Sequence, residues 1–145
     1  MRIGELAKRT GCLVQTIRYY ESEGLLPPPE RTENNYRLYT EGHLSRLSFI
    51  LRCRSLDMAQ DEIRALLVLQ DDPARPCDDV NSLLDAHIAH VNARIDALEA
   101  LRGQLQSIRR SCSGGACIGE CGALGVLRTT TNTEHAESHI AGTHL

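Results

Sequence analysis

Four cysteines stand where thiol chemistry is concentrated: Cys77, and then Cys112, Cys117 and Cys121 in the ten-residue run CSGGACIGEC, which also holds Gly114, Gly115 and Gly119. Thiolates are soft ligands that suit zinc, cadmium, mercury or lead, whereas magnesium and calcium want oxygen. Two other readings of the run stay open on residue types alone, an oxidisable thiol set and half of a disulfide framework. The N-terminus, MRIGELAKRTG, lacks the apolar core of a signal peptide, and nowhere does an apolar run reach membrane-spanning length. These features point to the cytosol and away from a membrane, and there six cysteines argue for metal or redox use over structural disulfides. A hydrolytic zinc site would need His or carboxylate ligands, an open position and a nearby base. The run supplies no base, so no enzyme is expected. Cys12 and Cys53, embedded in helical patterns, read as small, partly buried residues.

Histidines form a second constellation. His87 and His90, three apart, share one face of a helix. His135, His139 and His144 dot a polar tail. Imidazoles suit cadmium or zinc, so these five residues are candidates for a second metal site; otherwise His87 and His90 are edge residues of a coiled coil.

The elements that must position these groups are mainly α-helical. The segment IGELAKRTG is a short helix stopped at Gly11, and LVQTIRYYESEGL is a second, closed at Gly24. A tight turn between two short helices is a helix-turn-helix pattern. Three prolines, Pro27 to Pro29, then end regular structure, and NN followed by YRLYT suggests a small β-hairpin, or wing. Two helices follow, with stripes of Leu44, Leu47, Ile50 and Leu51 and of Ile63, Leu66, Leu67 and Leu69. After the break DDPARPCDD, about 33 residues run without proline, with Leu84, Val91, Leu98 and Leu105 repeating every seven and Ile88 and Ile95 in a second row. This narrow seam calls for a partner helix, most simply from a second copy of the chain. The sequence from Gly122 onward reads as a polar, flexible tail. The expected organisation is a DNA-binding unit with coupling helices over 1–70, a linker and dimerisation helix over 71–111, a metal-binding loop with a short terminal segment over 112–127, and a tail over 128–145.

The net charge of −3 conceals an asymmetry: residues 1–56 carry nine Lys/Arg against six Asp/Glu, and residues 57–145 carry seven against thirteen. The basic part suits an anionic partner. The second short helix carries Gln15, Thr16, Arg18, Tyr19 and Tyr20, of which Gln and Arg can read base edges and Thr, Tyr and Arg can hold phosphates. The hairpin offers Arg31, Asn35, Tyr36, Arg37 and Tyr39 to a DNA backbone. Tyr19 and Tyr20 have the alternative of filling a core.

The runs IGELAKRTG, TIRYYESEGLL and NYRLYT, with the long helix after a Cys-bearing linker, resemble the MerR family of transcription regulators over Met1 to about Leu127. The segments CRSLDM, DEIR and HIAHVNARI, with a cysteine ahead of the long helix, are most similar to its cadmium- and lead-responsive members. The resemblance implies a winged helix-turn-helix followed by a long dimerisation helix in an antiparallel coiled coil. It also implies DNA contacts from Arg18, Tyr19, Tyr20, Arg31, Tyr36 and Arg37, and no enzymatic activity. Cys77 and Cys112 are 35 residues apart, about 50 Å of helix, so one chain does not bring them together, whereas an antiparallel partner does. The implied site joins Cys77 of one chain to Cys112 and Cys121 of the other, with Cys117 as a fourth thiolate or a spectator. The expected ion is divalent: cadmium or lead first, zinc or mercury next. Expected partners are a double-stranded promoter operator, a second copy of the chain and RNA polymerase, in control of metal resistance or efflux genes. The rival expectation is a MerR-like thiol redox sensor built on the Cys112–Cys121 loop.

Overall fold

A computed structural model describes residues 1–129. Helix α1 (Ile3–Thr10) buries Leu6, carries Glu5 in its first turn and Lys8 and Arg9 in its last, and stops at Gly11, which is left-handed at φ 70°. Helix α2 (Val14–Ser22) turns Ile17 and Tyr20 inward. Leu25 and Leu26 then plunge into the core at 1% and 0% exposure before the three prolines. The hairpin is shorter than the sequence suggests. Strands β1 (Glu30–Arg31) and β2 (Arg37–Leu38) pair antiparallel, Glu30 with Leu38 and Arg31 with Arg37. Asn35 makes the turn at φ 65°, a conformation its short polar side chain tolerates.

Helix α3 (Glu41–Ser55) starts at a cap in which Thr40 Oγ1 accepts from the His43 N–H and the His43 Nδ1 accepts from the Thr40 N–H at 3.0 Å. The other ring nitrogen, Nε2, donates to the Pro28 carbonyl at 3.2 Å, so this buried histidine also pins the proline segment. Helix α4 (Gln60–Gln70) has the Ala59 N–H donating to Glu62 Oε1 at 3.0 Å. Leu6, Ile17, Leu26, Leu47, Ile50 and Ile63 are all fully buried in one cluster. Each contributes roughly 1.5–3 kcal/mol by leaving water, which is how so small a unit holds together.

Helix α5 (Asp78–Arg110) is continuous over 33 residues. The two compact units of the chain, Met1–Asp85 and the part from Ala86 onward, divide within it. Along α5, Ile88, Val91, Ile95, Leu98 and Leu105 are 37–64% exposed. After α5 come a loop, one 3-10 turn (Ile118–Glu120) and helix α6 (Gly122–Thr129). This last helix corrects the expectation of a tail from Gly122 onward: Ala123, Leu124, Val126 and Leu127 sustain a short helix before the polar residues begin. Among the described residues no helix is long and apolar enough to cross a membrane.

Candidate functional site

Two clusters carry chemistry, one in each unit. In the first, α2 and the hairpin present polar side chains outward. Gln15, Arg18 and Tyr19 are exposed and Thr16 is half-buried; Arg31, Asn35, Tyr36 and Arg37 are exposed on the hairpin. Arg31 donates to Asn35 Oδ1 at 3.0 Å, stiffening the turn, and Arg2 lies 4.9 Å from the centre of the Tyr36 ring in a cation–π contact. Among the described residues, Arg18, Arg31 and Arg37 enter no ion pair with a carboxylate.

Two tyrosines expected at this surface belong to the core. Tyr20 is 7% exposed, its ring tilted 51° against Tyr19 at 5.9 Å, and burial pushes its hydroxyl pKa up. It supports α2 from behind rather than facing solvent. Tyr39 is 2% exposed and its hydroxyl donates to the Glu21 carboxylate. Burial first, and that bond second, push its pKa up to about 12. The helical period explains the first case: Ile17 and Tyr20, three apart, share the inward face, and Tyr19 falls on the outward one.

In the second unit the loop after α5 folds back on itself. Arg109 donates to the Cys112 carbonyl at 3.0 Å, and the Cys112 N–H reaches the Arg109 carbonyl at 3.4 Å. Gly114 and Gly115 are both left-handed, at φ 85° and 80°, a pair of conformations that side-chain-bearing residues seldom adopt in succession. They turn the chain so that the Gly114 N–H points at the Cys112 sulfur. On the opposite side, Cys121 immediately precedes α6, whose first backbone N–H groups, from Gly122 and Ala123, also reach that sulfur. The Gly114 N–H is the largest of the effects that lower the Cys112 thiol pKa; a hydrogen bond with the Cys121 thiol comes next, burial opposes them in third place, and the Gly122 and Ala123 N–H groups add the least. Backbone donors and the Cys121 thiol thus favour the deprotonated form of Cys112.

Cys117 is exposed, and its carbonyl accepts from the Glu120 N–H at 3.0 Å to start the 3-10 turn. It is not among the groups that lower Cys112. Cys77 is exposed directly before α5, its carbonyl accepting from the Asn81 N–H at 3.0 Å. His87 and His90 lie on α5, while His135, His139 and His144 are outside the described residues. Cys12 and Cys53 are buried, and burial raises both thiols. Two features were missed from the sequence: Arg2 against Tyr36, for which no local pattern exists, and the donors of Gly114, Gly122 and Ala123, for which the glycine density was the available sign.

Two family models match the chain, one described as MerR HTH family regulatory protein over residues 1–69 and one as MerR, DNA binding over residues 44–108. The chain is 50% identical over 109 residues to an HTH-type transcriptional regulator ZntR homolog of Haemophilus influenzae, covering 75% of this chain and 81% of the relative. Among solved structures, it is similar to the transcription regulator PbrR691 of Ralstonia metallidurans CH34 in complex with lead(II), with 57% identity, a TM-score of 0.79 and coverage of 88% and 98% of the two chains. It is also similar to the regulator MerR of Bacillus megaterium MB1 in complex with mercury(II), with 30% identity, a TM-score of 0.70 and coverage of 88% and 99%.

Proposed function

The chain belongs to the MerR family of helix-turn-helix transcriptional regulators, a family of regulators and not of enzymes, and on that premise we propose that it binds operator DNA as a homodimer and responds to a divalent soft metal ion held on thiolates. The observation that carries the metal reading is the Cys112–Cys121 pair, in which the Gly114 N–H first and the Cys121 thiol second lower the Cys112 pKa. Such a pair fits a soft ion, because it must be deprotonated to bind one and the N–H groups favour the deprotonated form. Cys77 of the partner subunit is the third ligand, since Cys77 and Cys112 flank opposite ends of one 33-residue helix. The exposed seam of α5 is the surface through which the two copies pair, antiparallel.

Cadmium or lead is the favoured ion, with zinc and mercury next. The likeness to the lead-bound PbrR691 supports lead, and the likeness to the ZntR homolog and to mercury-bound MerR keeps the other soft ions in play. The bound ion supplies a tie between the protomers. An ion that favours one arrangement of the dimer over another shifts DNA distortion at the promoter, and with it use by RNA polymerase. The protein acts beside its DNA in the cytosol, and the controlled genes are those of metal resistance or efflux. Cys117, and a second site on His87, His90, His135, His139 and His144, supply further ligands for a cadmium- or zinc-type ion.

The experiment is a metal titration of the reduced dimer carrying Cys77→Ser, Cys112→Ser, Cys117→Ser or Cys121→Ser. Each of the first two and the last is expected to abolish tight binding. A mixture of Cys77→Ser and Cys112→Ser chains is expected to regain one site per heterodimer. Metal binding that survives Cys77→Ser would sink the shared site. The same Cys112–Cys121 contact also favours a second reading, a thiol pair that closes to a disulfide under oxidant. Transcription that responds to peroxide and not to metal would establish it.

A further inference from the structure

The recognition helix is held from outside by α4. The Tyr19 hydroxyl donates to Gln60 Oε1 at 3.0 Å, and the other end of the same amide, Nε2, donates to Glu23 Oε2 at 3.2 Å. One turn along α4, Arg64 donates to the Glu23 carbonyl at 2.9 Å. Gln60 therefore bridges Tyr19 on α2 and Glu23 just past its end, with its donor and its acceptor both engaged. Packing does little to fix Tyr19 itself. It is 49% exposed and borders a cavity of about 140 Å³ that Gln60, Arg54 and Ile63 also line. The position of its hydroxyl rests on the amide.

A phenol has one proton to donate. Gln60 Oε1 accepts it here, and a phosphate oxygen of DNA is likewise an acceptor, so the hydroxyl serves one or the other. We propose that Gln60 is a positioning residue that competes with a DNA phosphate for the Tyr19 hydroxyl, so that the placement of α4 against α2 sets the affinity of the recognition helix. This rests on the reading that Tyr19 faces the operator. Its consequence is that the helix leading toward the metal-responsive part of the chain has a direct hold on a DNA-contacting side chain, and any displacement of α4 that lengthens the Tyr19–Gln60 bond releases the proton to DNA.

The test is a double-mutant cycle in the full-length, metal-free dimer, read by fluorescence anisotropy on a duplex that the wild type selects from a random pool. Gln60→Leu removes the acceptor and is expected to tighten binding about threefold to tenfold, the scale of one exchanged hydrogen bond. In a Tyr19→Phe background the gain from Gln60→Leu should vanish. A merely structural role for Gln60 would shift affinity equally in the Tyr and Phe backgrounds, and that result overturns the proposal. If Tyr19→Phe has no effect in either background, Tyr19 is no DNA contact and the premise fails with the inference. Thermal unfolding of each variant confirms an intact fold, and Gln60→Ala replaces any variant that does not fold.

Discussion

Gly122 lies flat against the Ser111 peptide: a Cβ on Gly122 would collide with the Ser111 carbonyl, whose carbon would lie only 3.0 Å away. The contact seats the start of α6 on the end of α5 and brings the Gly122 and Ala123 N–H groups to the Cys112 sulfur. Gly122→Ala must push the two apart and withdraw those donors. Metal affinity is expected to fall about tenfold or more, the usual cost of losing support around a ligand, with DNA affinity of the metal-free dimer unchanged. Isothermal titration and anisotropy, run on the same variant, separate the two.

Because its pKa is lowered, Cys112 has a larger thiolate fraction at neutral pH than an ordinary thiol. Pulsed alkylation of the reduced, metal-free protein read by mass spectrometry should label Cys112 with a pH midpoint below that of an ordinary thiol, and Cys121→Ala, which removes the second-largest cause, should move that midpoint up. Cys12 and Cys53 should resist labelling until the protein unfolds.

Tyr39 has its pKa pushed up to about 12, burial contributing most and the Glu21 bond next. The unfolded chain releases this proton near 10, while the native chain keeps it. Between those values the native state binds more protons, so the contribution of Tyr39 is complete below about pH 10 and is lost as pH climbs to about 12. Urea midpoints of the wild type should fall through that window, and Tyr39→Phe should flatten part of the decline.

Salt dependence tests the DNA surface. Arg18→Ala and Arg37→Ala should each weaken binding to specific and random duplexes alike and reduce the slope of log affinity against log salt by about one, as a lost phosphate contact does. If a variant weakens binding only to the selected duplex, at unchanged slope, that arginine reads a base instead.

The exposed row of α5 gives another surface to probe. Val91→Asp or Ile95→Asp places a charge where pairing must exclude water, and light scattering should report monomers at micromolar concentration. Dimers that survive both changes would locate the subunit interface elsewhere.

Much of this fold was legible because its punctuation is chemical. Gly11 and Gly24 are both left-handed just past the first two helices, Pro27 to Pro29 follow before the hairpin, and the seven-residue spacing from Leu84 to Leu105 runs within one helix. α6 was not legible, since Gly122 and Gly125 are poor helix formers and the segment merges into a polar tail; its helix rests on a local seat against Ser111. Tyr39 was read as a surface residue because its Glu21 partner is 18 positions away, and the Tyr19–Gln60 bond joins residues 41 apart. Within the thiol loop, the resemblance to MerR regulators, and not the residues alone, singled out Cys112 and Cys121, and the donors that lower Cys112 are backbone groups, which residue letters do not spell.

Burial of Cys12 and Cys53 has a consequence for the whole chain in a cell that meets soft ions. Of six thiols, two are buried and raised by that burial, so both are poor bidders for an ion, and the remaining four lie at or near the surface. The core therefore does not act as a sink for thiol-seeking ions: the sulfurs open to them are those of Cys77, Cys112, Cys117 and Cys121.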